Sequence, residues 1–518
     1  MNVRLRRVAA ALLAATIIAL GYAPARAEDL TVDELLAKAR AGLPKTTPAS
    51  EVEDWTAHSE GLDGSWHVVR RRADVKVTLV LGPFVAASGV VAGQRWHQTD
   101  NGTTVLDKPQ PSQIEKLVDR TLDRVSQPID AYRVTTNYAS GHITRTYYDP
   151  KTYLVERIER VAAGRTTFTD YDDFRTDASG RTRAWHYSGG SDRAEDAYDY
   201  RLRGDAVDEP IDDADIALPP DRRMLIEFPA GRQIVRLPAR IERNRIYIRV
   251  KIGERGLDLL LDSGAYGLGL NERIIKELGL KVQGRNSSAG GAYSSGRVVV
   301  PQINVGPLAM HDVVMATVPF DNTESADTKV VGVLGFDFIA HAVLHIDYEH
   351  GTVDAILPSS FRLPAGAFEL PATLNTQQPH VELSLGASTS SDFLIDTGSP
   401  GSLLLFRRFL TMHDADPALV SAFRPGDAAV ATIQTLEGPT PVRRVALRDV
   451  RLGPYRFDLS NGLVALDRNA FGSDTEDGIV GANILRMFDV YLDYQGGRVI
   501  LEPNSSFPLS RNDRISSS

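Results

Sequence analysis

The sequence predicts a mainly β protein, in which an α+β module of a helix and an antiparallel sheet precedes two homologous β-rich lobes. Three observations lead there. The 518 residues, 42% hydrophobic and 24% charged, have the composition of a globular chain and the length of about three domains. Short alternating runs broken by turn residues dominate the first half. The second half repeats itself.

The N-terminus reads as a secretory signal over residues 1–27. Arg4, Arg6 and Arg7 precede an apolar run from Val8 to Leu20, and Ala25-Arg26-Ala27 supplies the small-x-small cleavage pattern. The run is short for a membrane span, so the expectation is an exported chain, periplasmic if the source has two membranes. Removing the signal strips four arginines and no acid from a chain already at net charge −9. That balance argues against a nucleic-acid partner. The absence of cysteine excludes disulfides, Cys-ligated zinc, iron–sulfur clusters and thiol catalysis.

The α+β module is expected over 28–215. Thr31-Val-Asp-Glu34 and Ser112-Gln-Ile-Glu115 fit the capping box that opens a helix. After the second, Ile114, Leu117, Val118, Leu122 and Val125 recur at helical spacing, which predicts a helix over 112–126. Strands are expected from Val75 to Leu81, from Val90 to Gln98, and on either side of the Asp149-Pro150 turn. Acidic and Pro-rich residues from Asp205 to Pro220 mark the exit, and 216–240 reads as a linker and the first strand of the repeated half.

The two lobes, 241–357 and 372–505, are defined by matched markers and joined through 358–371; 506–518 is a tail. Ile246–Leu270 reads IYIRVKIGERGLDLLLDSGAYGLGL, and His380–Leu405 reads HVELSLGASTSSDFLIDTGSPGSLLL. Each is followed by Gly-Pro, a Gly-hydrophobic-hydrophobic-Gly segment and a strand containing Asp-Tyr. Gly306 to Gly335 spans 29 residues and Gly453 to Gly481 spans 28; Gly335 to Asp347 and Gly481 to Asp493 are both 12. Only the interval from Asp262 to Gly306, 44 residues against 57 in the second copy, differs greatly. A loop insertion accounts for it, because closure cost grows slowly with length.

Both copies end an apolar strand on an acid: Leu259-Leu260-Leu261-Asp262-Ser263-Gly264-Ala265 and Phe393-Leu394-Ile395-Asp396-Thr397-Gly398-Ser399. A carboxylate in such company is costly unless satisfied or used. One copy alone reads equally well as a capped structural aspartate. Two copies in a duplicated frame place Asp262 and Asp396 together at a pseudo-twofold axis. Like charges in contact cannot both ionise readily, so they share one proton and supply a base and an acid at once. Gly264 and Gly398 allow the loops to approach, and Ser263 and Thr397 offer hydroxyls to fasten them. Gly335 and Gly481 close the neighbouring strands tightly. A hydroxyl at Ser399, where lobe 1 has Ala265, is expected to make Asp396 the more acidic partner.

Hydrophobic-hydrophobic-Asp-Thr/Ser-Gly-Ala/Ser followed by hydrophobic-hydrophobic-Gly resembles the signature of the retropepsin/pepsin-like aspartic proteases, here with both halves in one chain over 240–505. The resemblance implies a bilobal β fold of that type, Asp262 and Asp396 as the catalytic pair, and peptide-bond hydrolysis by activated water without a cofactor or metal. It also implies a flap from Asn286–Gly296 (NSSAGGAYSSG), with Gly290 and Gly291 at its tip. Tyr293 is then either a substrate-contacting aromatic or an ordinary surface tyrosine. The counterpart near 425–441 carries Pro425, Pro439 and Pro441, so a single flap, from lobe 1, is expected. Residues 28–215, through YYDPKTYLVERIE at Tyr147–Glu159, resemble the LolA-like lipoprotein carriers, which implies a curved sheet and contact with lipid or lipoprotein. The expected partner is a peptide or protein substrate, and the expected state a monomer. The competing reading is a binding protein that holds peptide, lipid or lipoprotein without cutting. His341 and His345 lack the metalloprotease order, and no nucleophilic-serine motif appears.

Overall fold

The structure, a computed structural model, describes residues 30–508 apart from 42–47, 108–116, 139–140, 163–164, 178, 289–290, 321–329, 376, 413–430, 437 and 467–475. The signal segment 1–27, the second capping box and Gly290 therefore lie outside the described residues. No described helix is long and apolar enough to cross a membrane. The chain divides into two compact units: one of residues up to Pro220 together with Gln283–Ser294, and one of Asp221–Val282 with Ser295 onward.

The first unit is an antiparallel sheet of thirteen strands in two meanders, closed by pairing of Ser50–Ser59 with Tyr198–Val207. Period-two alternation puts Trp55, Trp66, Tyr187 and Tyr200 on one face, where Trp55 stacks on Tyr187 at 4.7 Å and Trp66 meets Tyr200 at 5.2 Å. Large aromatic rings supply much of the burial that holds such a sheet. At the end of that face Glu51 and Glu53 are buried against Arg181 and Arg183, with Arg70 at 2.9 Å from Glu51. Deleting one member of so buried a network costs about 3–5 kcal/mol. The helix Val32–Ala41 is capped as its sequence implies: Glu34 N–H donates to Thr31 Oγ1 at 3.2 Å, and Thr31 N–H to the Glu34 carboxylate at 2.8 Å. Its Leu35 and Ala39 pack on Tyr132, Val134 and Tyr148.

Where a helix is expected over 112–126, the described part is extended instead: Leu117–Val125 is a strand at the sheet edge, paired with Ala131–Tyr138. Leu117 and Val118 are 43% and 62% exposed, so their spacing does not report a buried face. Cross-strand Arg133–Asp123 (3.1 Å) and Asn137–Asp119 (2.5 Å) bonds stabilise the strand pairing instead. The Asp149 turn forms as expected, with its carboxylate accepting the N–H groups of Lys151 and Thr152.

Residues 283–294 belong to this first unit through a dense polar clamp. Arg285 N–H donates to Glu60 O (2.9 Å) and Asn286 Nδ2 to Glu60 Oε1 (3.1 Å). Ser287 N–H donates to Asp196 Oδ1 (3.0 Å). Arg165 bridges Asp196 (2.7 Å), Ser287 Oγ (2.9 Å) and Ser288 O (3.2 Å). Replacing Asp196 with Ala removes the carboxylate that accepts from Arg165, Ser287 N–H and the Ser287 hydroxyl. Hydrogen exchange at residues 284–288 is expected to accelerate at least tenfold in that variant, while the helix 32–41 exchanges as before. Unchanged exchange would mean the clamp does not hold the segment.

The second unit contains the repeat. In lobe 1, Arg245–Ile252, Arg255–Leu261, Gly269–Leu270, Ser294–Val305, Leu308–Thr317 and Gly332–Leu334 share one sheet. Lobe 2 matches it with Gln378–Leu385, Ser388–Asp396, Leu403–Leu405, Gly438–Leu452, Tyr455–Ala465 and Gly478–Gly481. A six-stranded sheet takes strands from both lobes. At its centre the two Asp-Tyr strands pair antiparallel, Leu344 opposite Leu492 and Asp347 opposite Asp489. The matched markers of the sequence thus meet at the pseudo-twofold axis, over a core of Leu344, Ile346, Val490 and Leu492.

Candidate active site

Each acid is positioned by a buried strand and its parallel neighbour. Leu259, Leu260 and Leu261 are buried, and Leu260 and Leu261 pair with Val333 and Leu334. Asp262 N–H then donates to Leu334 O at 3.0 Å, so the acid emerges where the apolar run ends. In lobe 2, Phe393, Leu394, Ile395 and Asp396 pair with Gly478, Ile479, Val480 and Gly481. A Cβ on Gly335 or Gly481 would collide with Gly267 O or Gly401 O; these residues let the supporting strands turn directly beneath the loops.

The loops are fastened reciprocally. Ser263 N–H donates to Thr397 Oγ1 and Thr397 N–H to Ser263 Oγ, both at 3.0 Å. The hydroxyls donate onward, Ser263 to Ile395 O (2.7 Å) and Thr397 to Leu261 O (2.9 Å). Both residues are fully buried, and each hydroxyl is used as donor and acceptor, so four bonds cross the axis with nothing left unsatisfied. Two further side chains reach across: Gln378 Nε2 donates to Gly264 O, and Asn244 Nδ2 to Pro400 O at 3.3 Å.

This brings Asp262 and Asp396 into hydrogen-bonding contact. Both acids are half-buried, so solvent still reaches them. Gly264 and Gly398 are why: a Cβ on Gly264 would lie 2.7 Å from Asp396 Cγ, and one on Gly398 2.5 Å from Asp262 Cγ. Asp262 Oδ1 accepts the N–H of Gly264 (2.9 Å); Asp396 Oδ1 accepts those of Gly398 (2.8 Å) and Ser399 (3.1 Å). Burial, then the neighbouring Asp396, holds the Asp262 carboxyl well above the usual range. Burial also raises Asp396, but the bond from Asp262 and the two N–H groups offset part of that. Two backbone N–H donors at Asp396 against one at Asp262 favour the charge on Asp396. The Ser399 donor to Asp396 is its backbone N–H, where the sequence pointed to its hydroxyl.

Two neighbours escape sequence reasoning, although the motif that carries them is visible there. Tyr348 and Tyr494, which end the paired Asp-Tyr strands, are raised by burial and then by the acids, Tyr348 by Asp396 and Tyr494 by both. Their hydroxyls are buried, within electrostatic reach of the two acids.

Gly291 and Tyr293, expected at the flap, lie between the strands Gln283–Ser287 and Ser294–Val305. Gly291 and Tyr293 group with the first unit: Tyr293 O accepts Ser288 N–H at 2.8 Å, and a Cβ on Gly291 would meet the Arg165 side chain at 2.7 Å. Lobe 2 does form its own hairpin, Ala431–Thr435 with Gly438–Leu452, despite Pro439 and Pro441. Pro439 and Pro441 are tolerated because they precede Val442, where pairing with Tyr455–Ala465 begins, so their strand partner is Ala431–Thr435 alone. Its turn residue Leu436 packs on Tyr247, Leu260, Val318, Phe320 and Ala265 of lobe 1. Through Leu436 the lobe 2 hairpin reaches lobe 1.

Residues 248–338 match the family model described as aspartyl protease. A retropepsin-like aspartic protease from Rickettsia conorii is similar at 15% identity, over 25% of this chain and 92% of its own, with a TM-score of 0.19. A LolA superfamily protein from Nitrosomonas europaea is similar at 10% identity, over 36% and 98%, with a TM-score of 0.27. Basic 7S globulin from soybean is similar at 12% identity, over 53% and 97%, with a TM-score of 0.33. No curated protein matches the sequence.

Proposed function

We propose that the second unit is an aspartic endopeptidase of an exported protein, with Asp262 and Asp396 as its acid–base pair. The observation that carries this is the contact of two carboxyls held by reciprocal bonds between Ser263 and Thr397. Asp396, ionised, takes a proton from a water that reaches the pair from solvent, and the water oxygen bonds to the scissile carbonyl carbon. Asp262 gives its proton to the carbonyl oxygen, so a neutral gem-diol forms and the pair again holds one proton. Collapse returns a hydroxyl proton to one carboxylate while the amide nitrogen gains the other, breaking the C–N bond. No covalent enzyme intermediate is required.

Incubating the protein without residues 1–27 with a mixed peptide library over pH 3–8 tests the reading. Cleavage between internal residues, suppressed by a statine-containing peptide, is expected. A folded protein that cleaves no peptide at any pH would favour a unit that holds peptides without cutting them.

A further inference from the structure

The lobes differ at one matched pair of positions on the face that carries the acids. In lobe 1, Tyr247 lies opposite Leu260, two residues before Asp262, and Val330 precedes Gly332 by two. Both belong to an apolar cluster with Val318, Phe320 and Val333. In lobe 2 the residue opposite Leu394, two before Asp396, is His380, and the residue two before Gly478 is Glu476. Side chains two apart on a strand, and those directly opposite across a pair, share a face, so His380 stands on the same face as the Asp396 carboxyl. His380 is 2% and Glu476 6% exposed. The imidazole Nε2 is 3.6 Å from Glu476 Oε1, and Nδ1 is 3.0 Å from Gln378 O. Gln378 in turn holds Gly264 O, in the loop of the other acid.

Packing does not require this pair, since lobe 1 fills the same place with Tyr247 and Val330. Burying a carboxylate and an imidazole is costly, and the adjacent acids are otherwise engaged: Asp477 bonds Arg408 (2.7 Å) and Ser390, and Asp392 bonds Arg408 (3.2 Å). Among the described residues, the groups that act electrostatically on the dyad include Glu476 on Asp396, Arg245 on Asp262, and the phenols Tyr348 and Tyr494.

We propose that Glu476, braced by His380, is a positioning residue for the dyad, its negative charge opposing the two backbone donors that draw charge onto Asp396. The proposal rests on the dyad being the working acid–base pair. Lobe 1 has Val330 where lobe 2 has this carboxylate, so the field acts unequally on the two acids. Burial is the main cause of the raised Asp396 carboxyl, and the Glu476 charge adds to it. A nearby negative charge makes each proton harder to remove. Glu476→Gln removes that charge, so both dissociation steps of the pair move to lower pH.

The acidic limb of the kcat/KM profile is expected to fall by about half to one pH unit in Glu476→Gln, with KM little changed. Glu476→Asp, which restores the charge, should return it. The same shift is to be read without activity, in carbon spectra of folded protein labelled at aspartate Cγ, with Asp262→Asn and Asp396→Asn identifying the two signals. If the wild type cleaves nothing, the functional reading fails while this titration still decides the role of Glu476. Dyad signals that titrate identically in wild type and folded Glu476→Gln would overturn the proposal, even if that variant melts earlier.

Discussion

Asp262→Asn and Asp396→Asn are each expected to lower kcat/KM for peptide cleavage by a factor on the order of 10⁴ or more. Asparagine keeps the shape of the carboxyl and can still accept the N–H of Gly264 or Gly398. It can neither take a proton from water nor deliver one to a carbonyl, so the shared-proton state is lost in either variant. The bonds between Ser263 and Thr397 involve neither acid, so folding is not impaired. Stability should in fact rise. Asp262 is held above its unfolded value, so in that window the native state binds more protons than the unfolded state, and stability falls as pH rises through it. Removing the group removes that cost, and Asp262→Asn should melt at a higher temperature than wild type at pH 7. Residual cleavage within tenfold of wild type in both variants would contradict the assignment.

The second large effect is steric. A methyl group on Gly398 would sit 2.5 Å from Asp262 Cγ, well inside van der Waals contact, and neither neighbour can yield because the loops are tied on both sides of the axis. Either the carboxyls separate or the Ser263–Thr397 bonds break. Gly398→Ala should cost about 1–3 kcal/mol of stability, as overpacking does, and reduce kcat/KM by roughly 10² or more, since a displacement near 1 Å at the reacting groups is enough for that. Gly401→Ala, three residues on, is the control: its nearest added contact is Ser399 Oγ at 3.9 Å, and it should behave as wild type. Equal behaviour of the two alanine variants, by melting and by rate, would show that the loops do not press together.

Legibility in the sequence divides along the range of the interactions. The duplicated frame is legible because equal spacings between Gly and Asp-Tyr markers survive as corresponding strands in the same sheet order. The acids and their flanking Ser, Thr and Gly are legible because the cross-axis geometry needs those residue types in that order. The strand 117–125 is not: at a sheet edge Leu117 and Val118 stay exposed while Leu122 packs on the core beneath the first helix, so helical spacing of apolar residues does not mark one buried face there. The attachment of 283–294 to the first unit depends on Glu60, Arg165 and Asp196, polar residues far apart in sequence with no pattern to link them. His380 and Glu476 are hidden for the same reason, although comparing the two repeats position by position shows a His–Glu pair where the first copy has Tyr and Val. Tyr348 and Tyr494 stand out in sequence only as markers of the repeat. The antiparallel pairing of their strands reveals why a phenol lies on each side of the axis.

The most direct measurement is the affinity of a statine-containing peptide, whose hydroxyl takes the place of the attacking water between the two carboxyls, for wild type and for each asparagine variant by titration calorimetry. Tight binding by wild type near the pH of best cleavage, weakened at least a hundredfold in both Asp262→Asn and Asp396→Asn, is the predicted result. Equal affinity in all three proteins, or no binding by a folded wild type, would contradict a site built from these two acids.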